Sequence, residues 1–134
     1  MLNTFPELLD FGLMSPFILR VTLAVILISV GYLTLTKKKM EFDNYFKSQK
    51  YPFPAIITTV FGISEIVVGL FFFAGFYTQI ISLISIYLLI NLIYIENKSS
   101  KILPYTSAFY LILGVIALSL LFSGAGFFAL DLPL

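Results

Sequence analysis

Cysteine and histidine are both absent from this 134-residue chain. Without cysteine there are no disulfides, thiol redox relays, cysteine nucleophiles or thiolate metal sites. Without histidine the good zinc ligands are gone, and methionine and tyrosine are the only side chains left that could serve as axial haem ligands. No metal site is expected, and no cofactor is expected to be held by this chain alone. Charge is scarce as well: 11% of the residues are charged, against roughly 25% in an ordinary soluble domain. That is too few to build a water-facing surface. The net charge of +1 provides no field for nucleic acid, so nucleic acid is excluded as a partner.

What the chain has in excess is apolar length. Sixty per cent of its residues are hydrophobic, mean hydropathy is +1.04, and about 20 consecutive apolar residues suffice to cross a bilayer. Four runs reach or approach that length, at about 16–36, 54–76, 78–95 and 104–122. The fold expected is therefore all-α, a single four-transmembrane-helix bundle over residues 1–134, in a multi-pass protein of the cell membrane. Ser15 is a candidate N-cap for the first helix, with Pro16 in the tolerated first position. Lys37, Lys38 and Lys39 stop that helix, and the Gly124–Gly126 stretch breaks the last one. The N-terminal run carries Glu7 and Asp10 with no basic residue and no small-x-small cleavage site, so it is expected to be retained.

Two shorter segments fit the membrane surface. Residues 4–13 place Phe5, Leu8, Leu9 and Gly12 on one face after a Thr4–Glu7 capping spacing. Residues 38–51 interleave Phe42, Tyr45 and Phe46 with Lys47 and Lys50, as an interfacial helix or an irregular loop. All seven lysines lie in two of the connections: Lys37, Lys38, Lys39, Lys47 and Lys50 in one, Lys98 and Lys101 in the other. Cytoplasmic loops retain such residues, so both termini are expected on the opposite, non-cytoplasmic side.

Only Arg20 and Glu65 put charge inside the expected spans. An ionised group near the midplane costs at least about 2.5 to 3.5 kcal/mol, and such residues normally face a partner or a wet cavity. At 100° per residue, Arg20, Ala24, Leu27 and Gly31 share one stripe of the first helix, and Thr58, Gly62, Glu65, Gly69 and Phe72 one stripe of the second. Gly31, Gly62, Gly69 and, in the last helix, Gly114 are read as helix-packing positions where backbones approach closely. Ser82, Ser85, Asn91 and Tyr110 are candidate linings of a polar interior, although hydroxyls in helices often bond only their own backbone. Arg20 and Glu65 differ in depth by about 10 Å in this reading. They can pair, or Arg20 can reach the outer headgroups while Glu65 is a neutral, hydrogen-bonded carboxyl that specifies helix association. Asp131, in an apolar tail on the same side as Arg20, competes for the arginine.

Leu19-Arg20 with Gly31, the EIVVG run at Glu65–Gly69, GFYT at Gly75–Thr78, the polar end of the third helix and GAGFFALD at Gly124–Asp131 together resemble the DoxX-like family of four-helix membrane proteins. The likeness covers about residues 16–131. The chain departs from the family's pattern in having Thr34 where relatives commonly carry lysine after the glycine, Gln79 where a basic residue often follows the turn, and no histidine near the end of the third helix. The resemblance implies a small membrane subunit or accessory of a quinone- or sulfur-linked oxidoreductase complex, with quinone as the implied cofactor and a membrane or peripheral oxidoreductase as partner. Arg20, Glu65 and Asp131 would then form an anion or quinone site. A non-enzymatic scaffold or assembly factor and a small proton or anion transporter are the alternatives. Self-association into a homo-oligomer is compatible with each, since four helices enclose a path more readily as a dimer.

Overall fold

The apolar runs form helices because a bilayer leaves no other partner for the backbone. A computed structural model describes residues 14–99 and 102–124, with Glu7, Phe11, Gly12 and Gly126 in addition. Among the described residues there are five helices and no strand: α1 (Met14–Leu35), α2 (Lys39–Ser48), α3 (Pro54–Ala74), α4 (Thr78–Lys98) and α5 (Ser107–Ser123). α1, α3 and α4 are each long and apolar enough to cross a membrane, with mean hydropathies of 2.1, 2.2 and 1.9 over their best windows; α5 is apolar and shorter, at 17 residues.

The helix ends correct several expected boundaries. α1 starts at Met14, so Ser15 and Pro16 lie within its first turn and Ser15 is not its cap. α4 runs on through Glu96 and Asn97 to Lys98, past the expected stop at Ile95. α5 begins at Ser107 rather than near Pro104, because Thr106 is extended (φ −79°, ψ 161°). Its start is tied to the end of α4 by Ser107 Oγ donating to Asn97 Oδ1 at 2.8 Å. α3 ends at Ala74, two residues short of the expected limit at 76, and is capped by Gly75, whose φ of +68° is left-handed. The Gly75 and Phe76 amides return to Phe72 and Phe71 in a Schellman turn that sends α4 back alongside α3. The segment at 38–51 is helical over α2, and it packs as core rather than lying free. Phe42, Tyr45 and Phe46 are buried, and Phe42 meets Phe61 of α3 with centroids 6.4 Å apart. The expected surface helix at 4–13 lies outside the described residues, apart from Glu7, Phe11 and Gly12.

α1 packs most extensively on α3, and α4 on α5; α3 meets α4, and α1 meets α5, more lightly. The first pair is antiparallel and close, and glycine makes it so. A methyl placed on Gly31 would sit 2.7 Å from Ile66 Cγ1 and 2.8 Å from the Gly62 carbonyl. One on Gly69 would sit 2.6 Å from Ile28 Cγ1 and 3.0 Å from the Ala24 carbonyl, and one on Gly62 2.7 Å from Leu35 Cγ. Gly114 is different. A methyl there meets nothing within 4 Å, because the residue borders an apolar hollow between α4 and α5 lined by Leu89, Ile93 and Leu118. Its expected packing role is thereby overturned: the α4–α5 backbones do not approach at that point.

The surface and interior are inverted relative to a soluble protein. Ile18, Val25, Ile56, Ile63, Leu70, Ile80, Leu83, Ile90 and Leu111 are exposed, while Arg20, Thr34, Thr58, Glu65, Thr78, Ser82 and Ser85 are at most 1% exposed. So continuous an apolar exterior would aggregate in water and is matched to lipid. Gly31→Ala and Gly69→Ala should each destabilise the detergent-solubilised protein by about 1–3 kcal/mol through overpacking. Gly114→Ala should be neutral or stabilising. Thermal unfolding of the three variants side by side checks the distinction.

Candidate functional site

Both buried charges lie on the stripes that the sequence assigns to them. Arg20, Ala24, Leu27 and Gly31 are all buried on α1, and Thr58, Gly62, Glu65, Gly69 and Phe72 on α3. Extending the first stripe by three residues reaches Thr34, also buried, and this is the residue that meets the glutamate. Thr34 Oγ1 lies 3.3 Å from Glu65 Oε2 and 2.9 Å from the Val30 carbonyl, so its single proton is shared between them. The shorter bond to Val30 is the better formed, because 3.3 Å is long for a hydroxyl donor. Glu65 Oε1 has no hydrogen-bond partner among the described residues.

The structure does not bring Arg20 and Glu65 together. The glycine contacts set the register of the pair: Gly69 lies against Ala24 and Ile28, and Glu65 against Gly31. Arg20 therefore sits roughly 12–16 Å further along α1 than the level of Glu65, at 1.5 Å per residue. Direction widens the gap. Side chains on a helix lean toward its N-terminus, so Arg20 leans toward the Met14 end of α1 while Glu65 leans toward the Pro54 end of α3, which is the other end of the bundle. The arginine is buried all the same, with its guanidinium carbon 5.3 Å from the centroid of the Phe17 ring. Asp131 lies outside the described residues.

The polar stripes of α4 divide between two environments. Thr78, Ser82 and Ser85 face the interior at the Arg20 end. Ser82 Oγ donates to the Thr78 carbonyl at 2.7 Å and Ser85 Oγ to the Ser82 carbonyl at 2.9 Å, so both serine protons are spent on their own helix. Asn91 is half-buried and likewise donates back, to the Tyr87 carbonyl at 2.8 Å. With Tyr87 and Tyr94 it lines a cleft of about 260 Å³ between α2, α3 and α4, whose other walls include Tyr45, Phe46 and Gln49. Lys98 stands at its rim, donating to Gln49 Oε1 at 3.2 Å and lying 4.8 Å from the Tyr94 ring centroid. Burial raises the Tyr45 phenol above its ordinary pKa, Lys98 opposes this, and Tyr94 and Tyr51 add to it. The phenol is thereby held as a neutral donor.

Tyr110, on α5, is wholly buried, and its hydroxyl makes no hydrogen bond among the described residues. It lies within Coulombic reach of Glu65 and of Glu96. Glu96 had the look of a helix terminator in the sequence. It falls four residues after Leu92 and seven after Leu89 on the buried face of α4, and that spacing was the signal for its burial.

These features define a class: a small membrane protein of packed apolar helices whose buried charge and hydroxyls face the interior rather than lipid. A family model described as DoxX matches residues 15–97, more than half of the chain, and the chain belongs to the DoxX family. No curated protein and no solved structure matches it.

Because Arg20 and Glu65 occupy different levels, their effects on stability should add. A double-mutant cycle of Arg20→Ala and Glu65→Gln, read by unfolding in detergent, should give a coupling below about 0.5 kcal/mol. A coupling of about 2 kcal/mol or more would mean that the two charges meet after all.

Proposed function

We propose that this DoxX-family protein is a small, non-autonomous membrane subunit or accessory of an oxidoreductase complex handling quinones or sulfur compounds. The observation that carries the reading is the pair of fully buried ionisable side chains, Arg20 and Glu65, at separate levels of one helix pair. Glycine-mediated packing alone does not require either, and buried charge in a membrane bundle ordinarily serves an ion, proton or substrate path. A chain with no cysteine and no histidine has poor means of carrying electrons by itself, so the redox centre belongs to a partner or to a bound quinone.

The quinone reading moves with the geometry. Arg20 and Glu65 are too far apart to flank one ring. The cleft between α2, α3 and α4 fits a planar dicarbonyl better: its walls are aromatic, and the Tyr45, Tyr51 and Tyr94 phenols supply hydroxyl donors. A quinone supplies two-electron redox chemistry when bound; these side chains would hold and orient its ring. Purification from native membranes with identification of associated proteins tests the assignment. A stoichiometric partner bearing flavin, haem or an iron–sulfur centre is the expected result. Stable association with unrelated immature proteins would instead favour an assembly factor.

The topology we propose has four spans, with α5 as the fourth: its 17 residues extend about 25 Å, near the lower limit for a crossing. The lysines of the first connection and Lys98 of α4, which reaches Gln49 beyond α2, are gathered at one end of the bundle. That end is assigned to the cytoplasm and both termini to the opposite side. Tags at either terminus should be reachable from outside sealed cells, whereas a cysteine introduced at Lys47 should be labelled only after the membrane is opened. Protection of either tag overturns the topology.

A further inference from the structure

Among the buried polar atoms with no hydrogen-bond partner in the described residues are Glu65 Oε1 on α3, Glu96 Oε2 on α4 and Tyr110 Oη on α5, besides Asp43 Oδ1 on α2. Native proteins leave few such atoms, and those that persist are met by ordered water or serve a purpose. Here the first three converge. α3 and α5 begin at the lysine-bearing end of the bundle and α4 finishes there. Side chains lean toward their own helix N-terminus, so Glu65 and Tyr110 lean toward that end while Glu96, in the last turn of α4, leans from it into the interior. The Tyr110 phenol lies within Coulombic reach of both carboxyls. The Tyr105 backbone approaches the phenol without completing a hydrogen bond.

We propose that Glu96, Tyr110 and Glu65 form a water-bridged proton path that loads the interior carboxyl of Glu65 from the lysine-bearing end of the bundle. The graded burial fits an entrance and an end point: Glu96 is 9% exposed, Tyr110 and Glu65 are wholly buried. The chemistry is matched to each position. A carboxyl at the mouth exchanges protons with water. A phenol passes one on by accepting at its oxygen as it donates its own proton, so it ends neutral. The net result is one proton taken from solution and one carboxylate made neutral. Thr34 from α1 meets Glu65 but shares its proton with Val30, whereas the Tyr110 phenol, within Coulombic reach of Glu65, has a free hydrogen-bonding position among the described residues. Thr58, two turns nearer the entrance on the face of Glu65, is buried and adds a hydroxyl oxygen along the way. Arg20 lies toward the opposite end and has no part in the path. Nothing in this depends on which oxidoreductase, if any, the protein serves.

Infrared exchange in lipid nanodiscs tests the path on the intact protein. The Glu65 carboxyl band is the one that Glu65→Gln removes, followed at a pH where it is protonated. On transfer to D₂O it should shift rapidly in the wild type. Tyr110→Phe, which keeps the ring and loses the hydroxyl, should slow that shift by at least about tenfold. Glu96→Gln should slow it comparably, and Tyr32→Phe, an exposed tyrosine on α1, should leave it unchanged. If Tyr110→Phe does not fold, Glu96→Gln alone decides. Wild-type exchange rates in both path variants, or equal slowing in Tyr32→Phe, would overturn the proposal.

Discussion

The close approach of α1 and α3 is the constraint on which the rest of the interior depends. In lipid there is no hydrophobic force between helices, since acyl chains are as apolar as leucine. Helices associate instead where small residues let backbones and their dipoles come near. Gly31, Gly62 and Gly69 provide that, with carbonyls of the opposing helix standing where methyl groups would be. The same contact fixes the register, and the register brings Thr34 against Glu65. Were the pair to slide by one turn, the glutamate would lose its one hydrogen-bonding neighbour on α1 and the glycines would lose their opposing carbonyls together.

α2 closes one end of this pair. Its aromatic side chains occupy the space beneath α1 and beside the first half of α3, where Phe42 is 1% exposed and Phe46 stacks edge-on to Tyr51. A short helix rich in lysine on one face and aromatic on the other is suited to the headgroup region. Here the aromatic face is spent on protein contact rather than on lipid. The outcome is a bundle whose lysine-bearing end is plugged under α1 but holds a cleft between α3 and α4, where those two helices pack only lightly.

Helix identity and most of the interior were legible in the sequence because a bilayer makes hydropathy and the 3.6-residue period almost the whole signal. The stripes through Arg20 and through Glu65 are buried residue for residue. What the sequence concealed was relational. Gly114 sits on a small-residue stripe like the others, yet its neighbours in α4 leave a hollow, and no property of α5 alone reveals that. Glu96 ended an apolar run and so passed for a boundary, although backbone hydrogen bonding carried α4 a further turn. The Arg20–Glu65 pairing failed for a related reason. Helix ends do not lie level across the pair; register is set by which glycine meets which carbonyl.

Two opposite charges in neighbouring spans invite a salt bridge, and the antiparallel geometry argues against one here. Each side chain leans toward its own helix's N-terminus; in an antiparallel pair the N-termini lie at opposite ends, so a residue in the first half of α1 and one near the middle of α3 reach away from each other. Arg20 accordingly lies over the Phe17 ring, while Glu65 lies beside Thr34 and within Coulombic reach of Tyr110. Here the two side chains stand at separate levels of the α1–α3 pair, so the surroundings of each are set by different neighbours.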